Sequence, residues 1–333
     1  MEIWKQKALQ YSQEGLKPKD IAVKLEAELN MPDAYTKVIN YIYRSGKKDL
    51  AKMQNPEYFE KQEKTEETKA KEPKRVVIQN QEPEHHTANW DGCAVVRFGL
   101  ISDTHLGSKY AQISHLHDFY NFCEKEGIKT IYHAGDITDG VKMRPGHEYE
   151  LYEHSADGQR DDVIKNYPYR KGIETHFITG NHDASLFKHV GYDIGRGIAD
   201  KRDDLIYLGR DCAVIDLTPN CTLELRHPWD GTSYAASYRP QKMIEAMEAD
   251  SKPNIVAIGH YHKELTMLYR NVHGILVPCF QSQTPFSRGK GLSVFMGGMI
   301  ITAHVDKNGY IQRYIPEYRP YYSTIKEDYK NYK

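Results

Sequence analysis

The sequence has little of what marks several common classes of protein. Its 333 residues include only five cysteines, scattered and without a C-x-x-C pair, so neither a disulfide framework nor a thiolate zinc site is predicted. No apolar run is long enough to span a bilayer, and no hydrophobic signal segment follows the charged start. The formal net charge of -1 indicates no polyanionic partner by itself. These absences predict a soluble protein in a reducing, cytoplasmic setting, with no membrane partner.

Residues 1–55 predict a small module of three helices. Apolar residues at helical spacing end at Gly15, a second amphipathic run covers 18–29, and Pro32 is placed in the first turn of a third helix. Three short helices with tight turns resemble a helix-turn-helix module, in which the third helix would contact DNA. An oligomerisation or docking bundle is the alternative, and the sequence does not decide between the two.

Residues 56–92 are charged and almost without apolar side chains, except around Val76–Ile78. A segment of this composition cannot bury enough surface to offset the entropy of ordering it, so a linker is predicted. His85 and His86 lie within it and are expected to be solvated. At the other end of the chain, residues 317–333 form a tyrosine-rich tail that is expected to pack onto the preceding domain.

Residues 93–316 are predicted to form the catalytic domain. The apolar run Val95–Ile101 indicates a strand buried on both faces, and 128–133 and 175–179 indicate further strands separated by helical patterns. Later strands follow one another with few helices between them. This mixture favours an α/β fold of two stacked sheets, a β-sandwich flanked by helices, over one doubly wound sheet.

Polar clusters follow five of the apolar strands. The clusters are Asp103–His105, Gly135–Gly140, Gly180–Asp183, His227 and Gly259–His262. Strand ends are where sheet proteins assemble their sites, so these clusters are expected to meet. Carboxylate, amide and imidazole groups suit divalent transition ions, and their number is too large for one ion but fits two ions that share a bridging carboxylate.

In this order, D-x-H, G-D-x-x-D, G-N-H-D, a lone histidine and G-H-x-H resemble the calcineurin-like metallophosphoesterases, over about 95–316. The resemblance implies a two-sheet sandwich and two metal ions. The implied ligands are Asp103, His105 and His262 for one ion, Asn181, His227 and His260 for the other, and Asp136 as the bridge. It also implies that His182 faces the substrate as general acid or phosphate donor, and that Asp183 orients its ring.

Three neighbouring residues have competing interpretations. His304 also ends a strand and is the alternative to His227, which is favoured because the turn Pro228–Gly231 would present it. Asp139 is expected to cap its turn, and His133 to be a packed histidine. Manganese is the expected metal, while iron, nickel and zinc stay open because these ligands suit several ions.

Two segments are candidates for substrate contact. The polar excursion 141–169 is long enough to lie over the site. In 281–291, Arg288 and Lys290 stand beside Phe286, and cations next to an aromatic ring could hold a phosphate backbone and stack a base. A solvated turn is the alternative interpretation.

The expected function is therefore a two-metal phosphoesterase that cleaves a phosphodiester, with DNA as the favoured substrate. A phosphodiesterase or phosphatase for a small nucleotide is the second hypothesis. The third is a DNA-binding or scaffold protein with an inactive phosphoesterase domain, which the intact ligand set disfavours. A homo-oligomer stays open, since the sequence does not give the oligomeric state.

Overall fold

A computed structural model describes residues 3–14, 16–29, 38, 83–249 and 251–333. The chain divides into two compact units, Met1–Asn80 and Gln81–Lys333. The predicted third helix of the N-terminal module, apart from Val38, and most of the charged linker fall outside the described residues. Within the described ranges, no helix combines the length and the apolar character that crossing a membrane requires.

In the N-terminal unit, residues 3–14 and 16–29 include the helices α1 (Ile3–Gln13) and α2 (Pro18–Leu29). They pack through Leu9, Ile21 and Leu25, which are fully buried. Glu28 of α2 accepts hydrogen bonds from Lys7 Nζ at 2.5 Å and from Tyr11 Oη at 2.6 Å. The helix-turn-helix interpretation remains a prediction, because it depends on the third helix.

The second unit contains two six-stranded sheets and six helices within the described ranges. The helices are α3 (Ile113–Lys125), α4 (Ala156–Asn166), α5 (Asn181–Val190), α6 (Ile194–Ala199), α7 (Tyr238–Ala246) and α8 (Pro285–Gly289). The strands are β1 (Glu84–Thr87), β2 (Val95–Ile101), β3 (Thr130–Ala134), β4 (Glu174–Thr179), β5 (Leu205–Arg210), β6 (Cys212–Thr218), β7 (Cys221–Arg226), β8 (Ile255–Ile258), β9 (Leu265–Tyr269), β10 (Val272–Leu276), β11 (Gly297–Val305) and β12 (Ile311–Pro320).

The first sheet has the order β12-β11-β2-β3-β4-β5, and the second has the order β1-β6-β7-β8-β10-β9. In the first, β2 to β5 are parallel and β11 is antiparallel to β2. In the second, β7, β8 and β10 are parallel, while β6 and β9 run antiparallel to their neighbours β7 and β10. The predicted fold class, two stacked sheets flanked by helices, is confirmed.

The alternation of side chains along the strands builds two cores. Phe98 and Leu100 of β2 pack with Leu225 of β7 and Ile255 of β8 between the sheets. Ile101 points to the other face and packs with Phe119 of α3 and the helices around it. Successive strand residues face opposite sides, so one strand serves both cores, which explains its almost continuous apolar sequence.

The linker departs from its expected form at its end, whereas the tail contacts the domain as the sequence predicts. Residues Glu84–Thr87, expected in the linker, form β1 and pair in parallel with β6. His86 is half-buried rather than solvated, and its Nε2 donates to the Leu208 carbonyl at 3.0 Å. An edge strand is held by backbone hydrogen bonds, so it can form without apolar side chains. The tail contributes to β12 and then contacts α3, where Ser114 N donates to Asp328 Oδ2 at 2.7 Å.

Strand direction decides where the polar clusters lie. Because β2, β3 and β4 are parallel, the loops that follow them leave the first sheet at the same edge. The loops that follow β7 and β8 leave the second sheet together, and Gly259 N donates to the Arg226 carbonyl at 3.0 Å. All five clusters therefore meet at one end of the sandwich.

Candidate metal centre

The first group of converging ligand atoms comes from the loops after β2 and β8. Asp103 Oδ1 lies 3.2 Å from His262 Nε2 and 3.6 Å from His105 Nε2. The two imidazole nitrogens are 3.1 Å apart. One carboxylate oxygen and two imidazole nitrogens thus face a common point, which is the arrangement of ligands around a divalent ion.

The second group comes from the loops after β3, β4, β7 and β8. Asp136 Oδ2 lies 3.1 Å from His227 Nε2, and Asn181 Oδ1 lies 3.0 Å from the same nitrogen. Asn181 Oδ1 is also 2.8 Å from His260 Nδ1. The other oxygen of Asp136 accepts a hydrogen bond from the His182 backbone N–H at 2.8 Å.

Backbone carbonyls fix the tautomers of two histidines in the second group. His227 Nδ1 donates to the Ala134 carbonyl at 2.7 Å, and His260 Nε2 donates to the Asp230 carbonyl at 2.7 Å. A carbonyl oxygen only accepts, so each of these nitrogens carries the proton. The opposite nitrogen of each ring therefore faces the centre and is the one that can bind a metal ion when it carries no proton.

The residues fit two divalent ions. Asp103 Oδ1 is buried and has no hydrogen-bond partner among the described residues, although a buried carboxylate oxygen normally has one. The donor set contains oxygen and imidazole nitrogen and no thiolate, which suits manganese, iron, nickel or zinc. Asp103, His105 and His262 would hold one ion, and Asn181, His227 and His260 the other, with Asp136 beside both.

Five of these side chains lie on left-handed backbone. The φ angles are 53° at Asp103, 48° at His105, 58° at Asp136, 76° at His260 and 52° at His262. Positive φ is uncommon outside glycine and costs conformational energy, so it persists where the surroundings enforce it, often at functional sites. The strained turns aim these side chains inward.

Two glycines allow the loops to approach the ligands. Gly135 has a φ of +93°, and a Cβ there would lie 2.4 Å from His227 Nδ1. A Cβ on Gly180 would lie 2.4 Å from Asp136 Oδ1. No side chain larger than hydrogen fits at either position without moving a ligand.

The prediction that Asp139 caps its turn is wrong, because its carboxylate contacts histidine side chains instead of the backbone amides of the turn. Its Oδ1 lies 2.9 Å from His105 Nδ1, and its Oδ2 accepts from His147 Nε2 at 3.3 Å. Its backbone carbonyl accepts from His182 Nδ1 at 2.7 Å. Asp139 thus supports the histidine of the first group and the ring of His182. Its position three residues after Asp136 was the available signal, and His147 lies in the segment 141–169 that is expected over the site.

From sequence, Asp183 is expected to orient the ring of His182, and the structure corrects this. The Asp183 carboxylate accepts from Thr138 N at 2.8 Å, Thr138 Oγ1 at 2.6 Å and Gly180 N at 2.9 Å. Neighbouring residues on a helix do not face each other, and Asp183 turns back to the start of α5. It therefore fixes the loop after β3 against α5.

The pKa values of the residues at the centre are shifted because buried carboxylates and imidazoles lie close together. Burial alone would raise the pKa of Asp103, but His262 and His105 outweigh it and hold that pKa well below its usual range. Burial opposes charge on His105 and His227 as well. The neighbouring carboxylates nevertheless raise the pKa of His105 to about 10 and that of His227 to about 9. Metal ions bound here would replace these protons.

His182 is placed at the open side of the centre. Its side chain is 17% exposed, and its ring lies 4.6 Å from that of His105, centroid to centroid. With Nδ1 bound to the Asp139 carbonyl, Nε2 is the nitrogen left to meet a substrate. His133, in contrast, is fully buried and lies 3.1 Å from Thr104 Oγ1, as expected of a packed histidine.

Of the other predicted residues, some lie beside the centre and one lies far from it. His304 pairs with Val95 at the start of β2, so it lies at the opposite end of the strand from Asp103. The segment that carries Phe286, Arg288 and Lys290 lies beside the centre, because Gln281 Nε2 donates to Asp139 Oδ1 at 3.2 Å. All three side chains are exposed on α8 and just after it.

The excursion after the second cluster also borders the centre. His147 reaches Asp139, and the Arg144 guanidinium lies 4.2 Å from the Phe286 ring centroid. The excursion is not simply a loop, because it includes α4. Gln159 of that helix accepts from Gly140 N at 2.8 Å and so fixes the turn that follows Asp139.

A family model described as calcineurin-like phosphoesterase matches residues 96–264. Among curated proteins, the DNA polymerase II small subunit of Methanothermobacter thermautotrophicus is 27% identical over 241 residues, which are 57% of this chain and 48% of that protein. The protein of the same name from Archaeoglobus fulgidus is 26% identical over 248 residues, 61% of this chain and 50% of that protein. The chain thus spans about half the length of the curated relatives it matches.

The solved structures that are similar include an archaeal phosphodiesterase. It is 14% identical, with a TM-score of 0.39, and the similarity covers 67% of this chain and 100% of that chain. A zinc complex of Vps29 from Entamoeba histolytica is 15% identical, with a TM-score of 0.33, over 68% of this chain and 99% of that chain.

Proposed function

The chain belongs to the calcineurin-like phosphoesterase family, and we propose that it hydrolyses phosphodiester bonds of DNA with two divalent metal ions. The observation that carries the proposal is the convergence of ligand atoms around Asp103 and around Asp136; a third group, His105, Asp139 and His182, adjoins the first. Bound there, two ions would polarise a phosphoryl oxygen and lower the pKa of a water molecule. Manganese is the proposed metal.

Asp136 is proposed as the residue shared by both ions. One of its oxygens is occupied by the His182 backbone N–H at 2.8 Å, while the other faces His227. The hydrogen bond holds the carboxylate plane in one orientation. Asp136 also joins the two groups through the backbone, because its carbonyl accepts from His105 N at 3.1 Å.

His182 is proposed as the general acid for the leaving oxygen. The Asp139 carbonyl keeps a proton on Nδ1, so the proton that moves to the leaving oxygen is the one on Nε2. Asp139 also anchors His147, whose ring lies 5.7 Å from that of His182, centroid to centroid. These contacts keep the His182 ring from turning its donor nitrogen away from the centre.

DNA is the proposed substrate on two grounds. Relatives that match this chain are named small subunits of DNA polymerase II. Phe286, Arg288 and Lys290 are exposed beside the centre, where they can contact a phosphate backbone and a base. Since those relatives are subunits by name, a protein partner is proposed as well.

The proposal is tested by cleavage of end-labelled single- and double-stranded DNA with added Mn²⁺, alongside a bis-aryl phosphodiester and an aryl phosphomonoester. Cleavage of DNA that is lost in His182→Ala supports the proposal. Turnover of the small diester with DNA untouched would make a small nucleotide the substrate. Absence of bound metal and of all turnover would favour a scaffold with an inactive domain.

A further inference from the structure

Two exposed aromatic rings lie beside the second group of ligands. Trp229 is 55% exposed and follows the ligand His227 by two residues. Phe187 is 41% exposed and lies on α5, the helix that begins with Asn181. Large apolar rings at the surface are informative when they are held in place beside a site. We call Phe187 and Trp229 together the aromatic rim.

Adjacent residues hold the two rings. Asp211 Oδ1 accepts from Trp229 Nε1 at 2.9 Å, and the Arg210 guanidinium lies 3.9 Å from the Phe187 ring centroid. Arg210 and Asp211 are consecutive in the chain, so the contacts that hold the two rings come from neighbouring residues. Each ring is held in place by a side chain next to it.

The same residues tie the rim to the ligands. The Asp211 carbonyl accepts from His227 N at 2.7 Å. The residue after Trp229 is Asp230, whose carbonyl accepts from the ligand His260 at 2.7 Å. Trp229 is thus joined by a hydrogen bond to Asp211 and by the chain to Asp230, and these two residues support two proposed metal ligands.

Two positively charged side chains lie at the rim, and the charge of one of them, Arg210, is paired with Asp193. Lys188 is exposed next to Phe187, and Arg210 carries its guanidinium between Phe187 and Asp193, whose Oδ2 is 3.1 Å from Nη2. A stacking surface with cations beside it matches how proteins hold single strands, because every unpaired base has an exposed face and every nucleotide a phosphate. In a duplex both faces of each base are already stacked, so the rim would have no base to take up.

A second aromatic-arginine pair lies on the side of the first group. It consists of Phe286 and Arg144, and Gln281 joins its segment to Asp139. Each group of ligand residues therefore has an aromatic side chain near it, and a strand that contacts both groups could stack at each. We propose that the substrate is single-stranded nucleic acid, laid across the aromatic rim with one base stacked on Trp229. This inference rests on the proposed phosphodiesterase function.

The test compares two variants of the full chain, Trp229→Leu and Trp229→Phe. Both remove the Nε1–H bond to Asp211, but only leucine removes the aromatic face, so their difference isolates stacking. Tyr310→Leu is the matched control, since Tyr310 is also exposed but lies in the turn between β11 and β12, at the opposite end of the sheet. Binding of a fluorescein-labelled single strand and of its blunt duplex is measured without turnover. Hydrolysis of both DNAs and of a bis-aryl phosphodiester is measured in parallel.

In the wild type, the single strand should bind more tightly than the duplex. In Trp229→Leu, single-strand affinity and kcat/KM should fall about 10-fold, which corresponds to about 1.4 kcal/mol, within the range of one base stacked on an aromatic ring. Trp229→Phe and Tyr310→Leu should stay within about 2-fold of wild type, since both keep the stacking surface. Turnover of the bis-aryl diester should be unchanged in Tyr310→Leu, and in Trp229→Leu it should fall less than hydrolysis of the single strand.

Tighter binding of the duplex, or unchanged single-strand affinity in Trp229→Leu, would overturn the inference. So would an equal loss in Trp229→Leu and Trp229→Phe, because the indole hydrogen bond would then explain it. If the proposed phosphodiesterase function fails instead, the measurements give a different result. In that case neither DNA nor the bis-aryl diester is hydrolysed, while single-strand binding still depends on Trp229.

Discussion

His227 Nδ1 donates a 2.7 Å hydrogen bond to the carbonyl oxygen of Ala134, and this bond joins the two sheets at the metal centre. Ala134 ends β3 of the first sheet, and His227 follows β7 of the second. The same bond fixes the imidazole tautomer, so one contact both links the sheets and turns Nε2, the proposed ligand atom, towards the centre. A centre built in this way depends on the packing of the whole sandwich.

Removing this histidine should affect both metal binding and stability. His227→Ala should lose one of the two ions and lower the free energy of unfolding by about 2–5 kcal/mol, because it deletes a buried side chain and leaves the Ala134 carbonyl unpaired. Elemental analysis and denaturant unfolding measure the two effects. His304→Ala is the matched control and should keep both ions; loss of an ion there, with retention in His227→Ala, would exchange the two assignments.

Asp136→Asn should weaken both metal sites together. An amide keeps the shape of the side chain but has one neutral oxygen in place of two charged ones, so it cannot serve two cations equally well. Titration with Mn²⁺ followed by native mass spectrometry gives the number of ions per chain. Asp103→Asn, which lies in one group only, should weaken a single site, and an identical pattern in the two variants would argue against the shared role of Asp136.

His182→Ala should keep both ions and slow turnover by about 10² to 10⁴, the usual contribution of a general acid. His189→Ala, an exposed histidine on the same helix, should leave kcat unchanged. The measurement is kcat for a bis-aryl phosphodiester together with metal content. Wild-type kcat in His182→Ala would remove His182 from the mechanism.

Asp139→Asn should weaken the binding of one metal ion, because it changes the contact with His105. The carboxylate lies 2.9 Å from His105 Nδ1, and supports of this kind are typically worth about 10- to 100-fold in metal affinity. Competition with a chelator should therefore show weaker binding of one ion, while the second ion is held as before. Equal weakening at both sites, or none, would show that Asp139 does not support the first group.

Acid should destabilise the metal-free protein partly through His133. Burial lowers the pKa of this imidazole to about 3, so its folded-state pKa lies below the unfolded value of 6.5. The unfolded chain therefore binds the proton first, and stability is lost as the pH falls from about 6.5 towards 3. In EDTA, His133→Gln should lose less stability than the wild type over this window, measured by denaturant unfolding at each pH. A parallel pH dependence in both proteins would mean that His133 contributes nothing to it.

The sequence allowed the arrangement of the centre to be predicted because each cluster follows an apolar strand. Parallel strands bring their carboxyl ends to one edge of the sheet. Asp103, Asp136 and Asn181, which follow such strands, are therefore expected to lie close together. The supporting contacts were not predictable in the same way. Asp183 stands next to His182 in sequence, yet helix geometry turns it away, and Asp139 takes up the contact from another loop.

The edge strand β1 and the aromatic rim could not be predicted from sequence either. β1 could not be foreseen in a polar segment, because its pairing with β6 depends on backbone hydrogen bonds and on which edge is free. The aromatic rim likewise joins Phe187 and Trp229 through Arg210 and Asp211, which come from separate parts of the chain. Contacts of this kind are decided by tertiary packing rather than by local pattern.

The most direct test of the central claim is the number of Mn²⁺ ions bound per wild-type chain, measured while hydrolysis of a bis-aryl phosphodiester is followed in the same titration. Two groups of converging ligands predict that activity appears and saturates as two ions per chain are bound. Binding of no ion, or saturation of both ligand groups without any hydrolysis, would contradict a two-metal phosphodiesterase.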